Sequence, residues 1–225
     1  MVILKGFLSV EEQRQLTAHV HQMGANRQGG FFSCDNEKTK RMRMMNLGLR
    51  TDGSRHILGI PRAWTDVATR ACRLAAEIDP SIPVLRPDIC VVNHYSAASR
   101  LGWHQDLFSS RDPGLPVVSL SLGQSATFQY RVSWKKTAGV KSITLESGDA
   151  LIFGGRSRGI IHGVPGIGNA AAAVVMSKPA EAVSSSTVVG VRSKDEGAPG
   201  EGTKYSSGPC SVPDGGRYNL NFREL

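Results

Sequence analysis

The chain carries His104-Gln105-Asp106, a histidine and a carboxylate two residues apart. In extended backbone, residues i and i+2 share a face, so an imidazole nitrogen and a carboxylate oxygen could reach one metal ion. Alone the pattern is weak, because a chain with six histidines has a fair chance of one such tripeptide. A third ligand is offered by His162, in the strand-like run Gly159-Ile160-Ile161-His162-Gly163; a satisfied core histidine is the other reading of that position. Two histidines and one carboxylate leave coordination positions open, the arrangement with which non-haem Fe(II) holds a co-substrate and O2 together. Arg217 and Arg223 lie an even number of residues apart in a strand-like segment and share a face with Asn219. Guanidinium groups inside a β-barrel need anions, and their planar fork suits a dicarboxylate such as 2-oxoglutarate. Asn93 and Tyr95, on one face of the segment preceding His104, could add polar contacts to the same anion.

Such residues must be positioned by strands. From Ile89 the sequence reads as short strands over 89–95, 117–122, 126–132, 142–145, 150–153 and 160–164, broken by Gly, Pro, Ser or Asp, with a last strand over 217–223. That succession predicts an antiparallel barrel or sandwich with helices on one side. The helices are read at 9–24, opened by Ser9 with Glu11-Glu12 behind it, and at 62–78, stopped by Pro80. Residues 25–56 read as an exposed, basic and sticky stretch, and 169–216 as a low-complexity insertion rich in Ala, Ser, Gly and Pro.

At 225 residues and 24.2 kDa, one domain with insertions fits better than two full ones. Hydrophobic and charged fractions of 40% and 20% exclude a disordered chain, a coiled coil and a collagen-like fibre. The net charge of +8 points weakly to an anionic partner such as nucleic acid. Residues 169–216 carry four basic against five acidic side chains, so the positive excess belongs to the rest of the chain. No apolar run is long enough for a membrane span, and Cys34, Cys72, Cys90 and Cys210 form no C-x-x-C pair, which favours a reducing compartment. Nuclear or cytoplasmic placement is expected, with an organelle left open.

The ordered set Asn93-His94-Tyr95, His104-Gln105-Asp106, Ser119-Leu120-Ser121-Leu122-Gly123, Gly148-Asp149, Gly154-Gly155-Arg156-Ser157-Arg158, His162-Gly163 and Arg217-Tyr218-Asn219-Leu220-Asn221-Phe222-Arg223 strongly resembles the AlkB-like Fe(II)/2-oxoglutarate dioxygenases. With Pro87-Asp88-Ile89-Cys90 it is most like the AlkB homologue one branch found in plants. The resemblance implies a mainly β fold with flanking helices (α+β), a double-stranded β-helix or jelly roll over residues 86–225, preceded by a helical extension and nucleotide-recognition lid over 1–85. It implies Fe(II) on His104, Asp106 and His162, and 2-oxoglutarate on Arg217 assisted by Asn93, Tyr95 and Asn219. Arg223 resembles the family's second site arginine, which reaches both the co-substrate and the substrate side.

The activity implied, with O2 as co-substrate, is oxidative demethylation of N-methylated bases in DNA or RNA by a monomer that needs no membrane, with N6-methyladenine in unpaired or destabilised DNA as first choice. Lys38, Lys40, Arg41 and Arg43 would grip phosphates near the lid, or else form a solvated run or a weak nuclear signal. The chain departs from the family's bacterial members where Phe108 replaces an acidic residue two positions after the metal Asp, and where Leu49-Arg50-Thr51-Asp52 lacks their lid tryptophan; Phe31, Phe32 and Met45 are the candidates for its stacking role. The competing readings are a 2-oxoglutarate hydroxylase acting on a protein or small molecule, and a nucleic-acid-binding module that has lost catalysis.

Overall fold

The structure, a computed structural model, describes residues 1–36, 38–109, 111–135, 137–168 and 215–225. The insertion expected at 169–216 lies outside the described residues except for Gly215 and Gly216. The strands are β1 (Val2–Leu4), β2 (Phe32–Cys34), β3 (Thr39–Gly48), β4 (Ile89–His104), β5 (Val117–Gly123), β6 (Ala126–Arg131), β7 (Lys141–Leu145), β8 (Ala150–Phe153), β9 (Ile161–Val164) and β10 (Arg217–Arg223). The helices are α1 (Val10–Gly24) and α2 (Arg62–Ile78). Helix α1 starts where the sequence predicts, with a reciprocal capping box between Ser9 and Glu12.

All strand pairs are antiparallel, in the order β1-β8-β5-β10-β4-β9-β6-β7, with β3 along the other side of β4 and β2 beyond it. The expected mainly β jelly roll is what forms, because β4 serves two faces. Its first half pairs with β10, from Arg223↔Ile89 to Arg217↔Tyr95, and its second half pairs with β9 through Leu101↔Val164 and His104↔His162. Between them, residues 96–99 bulge opposite a single β3 residue, Arg41, whose carbonyl accepts from the Ser99 hydroxyl. Opposite the bulge, Arg41 takes a φ of 50°, the left-handed backbone uncommon outside glycine. Arg223, paired with the start of β4, lies 3.4 Å from Asp106 just beyond its end. The strand therefore doubles back across the bulge, and the sheet curls into a barrel.

The period of two then sorts side chains between the two sides of the sheet. Tyr218, Leu220 and Phe222 of β10, Cys90 and Val92 of β4, and Met45 and Leu47 of β3 enter one core with Trp64, Ala68, Ala71 and Ala75 of α2 and Leu16 and Val20 of α1. Their neighbours Arg217, Asn219, Asn221, Arg223, Val91, Asn93, Tyr95 and Met44 line the barrel interior.

Two sequence expectations are corrected here. Residues 25–56 are not simply exposed, since Met42, Met45 and Leu47 are fully buried. Apolar residues feed both faces of β3, Met42 and Met44 inward and Met45 and Leu47 outward, so no alternation survives in the sequence. The strand read at 89–95 runs on to His104, because the small residues 96–99 that interrupt its pattern are the bulge.

Asp149 ties the N-terminus to the barrel. Its carboxylate accepts from the Gly6 N–H at 2.9 Å, the Glu146 N–H at 2.7 Å and the Lys5 ammonium at 2.5 Å, at 1% exposure. Asp149→Ala leaves two backbone donors without acceptors, and is expected to lower stability by about 2–4 kcal/mol. Urea unfolding followed by circular dichroism checks this against Asp112→Ala, on an exposed turn.

Candidate metal and co-substrate site

His104, at the end of β4, and His162, in β9, are cross-strand partners with ring centroids 4.3 Å apart. Asp106, two residues on, brings Oδ1 to 4.0 Å from His104 Nε2 and Oδ2 to 3.7 Å from His162 Nε2. One ligand atom from each of the three lies within 4.8 Å of the others, which is the span of a single coordination sphere. His104 Nδ1 lies 2.9 Å from the Gly102 carbonyl and His162 Nδ1 3.5 Å from that of Ile160, so each Nδ1–H is held by backbone and each Nε2 lone pair is left for a cation. Phe128 stacks on the His162 ring at 5.1 Å, and Phe153 meets it edge-on at 5.2 Å.

Electrostatics match that use. Burial pushes the His162 imidazole down to about 4, so it is neutral. Burial would raise the Asp106 carboxyl, but Arg223, His162, His104 and Arg158 outweigh it and hold the group below its ordinary value. Two imidazoles and one ionised carboxylate are a donor set for a divalent cation.

Arg158 holds the loop that carries Asp106. Buried at 3% exposure, its guanidinium donates to the carbonyls of Asp106, Leu107 and Leu115 and covers the Phe108 ring at 5.0 Å. Arg158→Lys keeps the charge and loses the three-way fork. It is expected to weaken cation affinity about 10–100-fold, the usual effect of removing a partner behind a metal ligand. Anaerobic Co(II) titration followed by absorbance measures it. The residue belongs to a motif visible in the sequence, but its grip on carbonyls around 43 to 52 residues away depends on the fold.

Below the ligands is a cavity of about 200 Å3 lined by Asn93, Tyr95, Phe128, Leu145, Arg217 and Asn219. Arg217 is 2% exposed and donates to the Ser121 hydroxyl at 2.7 Å and to the carbonyls of Gln124 and Leu145, all neutral acceptors. Burial pulls it down to about 10, and at neutral pH it is a buried cation. Among the described residues, Arg217 Nε, Tyr95 Oη and Asn93 Oδ1 are buried without hydrogen-bond partners. Burial pushes the Tyr95 phenol upward, so it is a neutral donor. A cation and a hydroxyl donor left unsatisfied around one small cavity fit an anionic ligand, while the Asn93 amide oxygen can only accept. Asn219 differs: its amide donates to Ser119 and Leu120 and accepts from Asn221, so it braces β10 against β5.

A second cavity of about 460 Å3 shares Met44, Val91 and Arg223 with the first, and is walled by Asn46, Leu49, Arg50, Asp52, His56, Leu107 and Phe108. The structure brings together every expected metal and anion residue. Of the expected phosphate contacts, Arg43 sits 5.2 Å over Phe31 on the helix-covered face, Arg41 faces the bulge and Lys38 is exposed beside Gly102, while the Lys40 side chain lies outside the described residues. Of the three stacking candidates, Met45 is in the core, Phe31 packs on Tyr218 and His94, and Phe32 lines neither cavity. The aromatic ring at the second cavity is Phe108.

Comparison with known proteins agrees with this geometry. A family model described as the 2OG-Fe(II) oxygenase superfamily matches residues 1–223. The DNA N(6)-methyladenine demethylase ALKBH1C of Arabidopsis thaliana is 35% identical over 194 residues, covering 74% of this chain and 42% of that protein. The alpha-ketoglutarate-dependent dioxygenase AlkB of Escherichia coli (strain K12) is 34% identical over 105 residues, 47% of this chain and 45% of that protein. The chain thus spans less than half the length of these curated relatives. The structure of OsALKBH1 superposes with a TM-score of 0.70 at 28% identity, covering 99% of this chain and 97% of that one. With its ligand triad, its buried arginine and these AlkB-type relatives, the chain belongs to the 2OG-Fe(II) oxygenase superfamily.

Proposed function

We propose that this chain demethylates an N-methylated nucleobase, N6-methyladenine in DNA as first choice, and prefers unpaired or destabilised strands. The observation that carries the reading is the second cavity, which shares Met44, Val91 and Arg223 with the cavity lined by the metal ligands, is walled by the lid segment 49–52, and is large enough for a base turned out of its stack. The names of the curated relatives support the same substrate class.

The residues present fit the groups that the family uses. His104, Asp106 and His162 would hold Fe(II); the unpartnered Arg217 Nε–H and Tyr95 hydroxyl would donate to the 2-oxoglutarate carboxylate furthest from the metal, with Asn93 lining the same cavity. Once bound, iron, 2-oxoglutarate and O2 supply the oxidation that takes an N-methyl group to formaldehyde, leaving succinate and CO2. The chain itself orients and excludes water. Arg223 donates to Asp106 Oδ1 at 3.4 Å and lines both cavities, so it fixes the carboxylate rotamer while facing the substrate. Phe128 and Phe153 keep the His162 side of the site dry. Phe108, its ring backed by the Arg158 cation, offers a flat wall where an acidic residue would otherwise contact the base.

We further place the protein as a monomer in a reducing nuclear or cytoplasmic compartment. The free thiols of Cys34, Cys72 and Cys90 support the compartment, and among the described residues no helix is long and apolar enough to cross a membrane.

The test is mass spectrometry of oligonucleotides bearing N6- or N1-methyladenine in single-stranded, bubbled and duplex form, with Fe(II) and 2-oxoglutarate. Loss of one methyl group with matching succinate, fastest on unpaired N6-methyladenine, is the expected result. Succinate release stimulated by peptides and not by any methylated oligonucleotide would sink the reading.

A further inference from the structure

The β6–β7 hairpin carries positive charge that the site above does not use. Four basic residues and no acidic one fall between Ala126 and Leu145. At the end of β6, the Arg131 guanidinium lies over the indole of Trp103, 4.7 Å from the ring centroid, and 5.4 Å from that of Trp134. Among the described residues its Nε is buried without a hydrogen-bond partner, and neither Arg131 nor Lys135 has an acidic partner. Trp134 is 55% exposed and Val132 82%. A guanidinium held by two indoles keeps in-plane N–H groups available, and the exposed Trp134 indole beside it offers a face on which a base can stack.

Register places this ledge beside the reaction centre. Tyr130 pairs with His162, which pairs with His104; one step further along each strand are Arg131, Ile161 and Gln105. The hairpin tip thus projects past the same sheet end at which β4 releases Gln105 and Asp106. Gln105 donates to the Gly159 carbonyl across that end, and Lys38 accepts through its carbonyl from Gly102 N–H, next to Trp103. The second cavity is lined by Leu107 and Phe108, which follow Asp106 at this same end of the barrel.

We infer that the hairpin is a docking surface for the unpaired nucleic-acid strand flanking the target base, with Trp134 stacking a neighbouring base and Arg131 and Lys135 meeting its phosphates. This rests on the nucleic-acid reading above and adds to it a second contact region outside the lid. Aromatic and basic side chains interleaved in this way bind single strands with little sequence preference.

The test uses the full chain and a single-stranded DNA 12-mer carrying one N6-methyladenine. Trp134→Ala is expected to raise the 12-mer Kd and KM about tenfold, as loss of one stacked base does, with kcat changing less than about twofold. Intrinsic tryptophan fluorescence, quenched by the 12-mer in the wild type, should lose most of that response in the variant. Lys135→Gln should reduce the slope of log K against log salt by about 0.7, one phosphate contact on a single strand. Arg62→Gln, on the far helix and 94% exposed, should change none of these. Thermal melts of the variants should match wild type, since both positions are exposed. If the wild type binds and demethylates the 12-mer while both hairpin variants keep its Kd and salt slope, the hairpin assignment fails and the function stands. If the wild type does neither, the function itself fails and the hairpin assignment falls with it.

Discussion

Asp106→Asn is expected to bring 2-oxoglutarate-dependent turnover down at least about a thousandfold while leaving the fold in place. The carboxylate is the one anionic ligand among the three, and its charge is what a divalent cation gains beyond the two imidazoles. Asn keeps the shape and an oxygen that can still accept from Arg223, so the loop clamped by Arg158 should stay closed. Removing the whole side chain would be harder to interpret, because it leaves Arg158 and Arg223 facing each other without an anion between them. Anaerobic Co(II) titration together with succinate release is the measurement. Wild-type turnover in Asp106→Asn would remove Asp106 from the metal assignment.

The second large effect is predicted for Arg217→Met, and it separates function from stability. In the protein alone, Arg217 is a buried cation facing only neutral acceptors, an arrangement that costs desolvation without an ion pair in return. Met fills similar volume without charge, so the stability of the free protein is expected to change by no more than about 1–2 kcal/mol, of either sign, the loss being the Ser121 partner. Co-substrate binding should collapse. A dicarboxylate entering the same cavity would leave one carboxylate buried and unpaired, a loss of about 3–5 kcal/mol, or roughly a hundred- to several-thousandfold in KM for 2-oxoglutarate.

Thermal shift gives a readout independent of turnover. With Fe(II) or Co(II) present and 2-oxoglutarate at about 100 times its Kd, the wild type should gain about 2.7 kcal/mol, about 5–10 °C for a chain of this size. The variant should gain none. An equal shift in Arg217→Met would show that 2-oxoglutarate is held elsewhere.

Much of the site was legible in the residues themselves. Arg217, Asn219, Asn221 and Arg223 share a face because β10 is regular, and a period of two then leaves no alternative. The same holds for Asn93 and Tyr95 on the first half of β4. Legibility fails where regularity fails. Across the bulge at 96–99 the alternation resets, so nothing local says that β4 continues or that it turns back to bring Asp106 beside Arg223. In β3, parity decides that Met44 faces the cavity while Met45 is buried under the helices and Arg43 is held by Phe31. Without the register against β4, the basic run 38–43 looks like one patch when it is divided among several surroundings. Arg158 and Phe108 gain their roles from contacts made across the barrel, which no spacing rule reaches.

The sequence by itself determined the chemistry, its order along the chain and the faces within each regular strand, because those follow from residue types and a two-residue repeat. Which strands meet was decided only by the tertiary structure: His162 opposite His104, three polar atoms left unpaired around one small cavity, and a cationic hairpin beside the metal ligands. The physical reason is range. Pleat and helix periods come from neighbouring residues, whereas register and barrel closure depend on burying two cores at once on opposite sides of a single curled sheet.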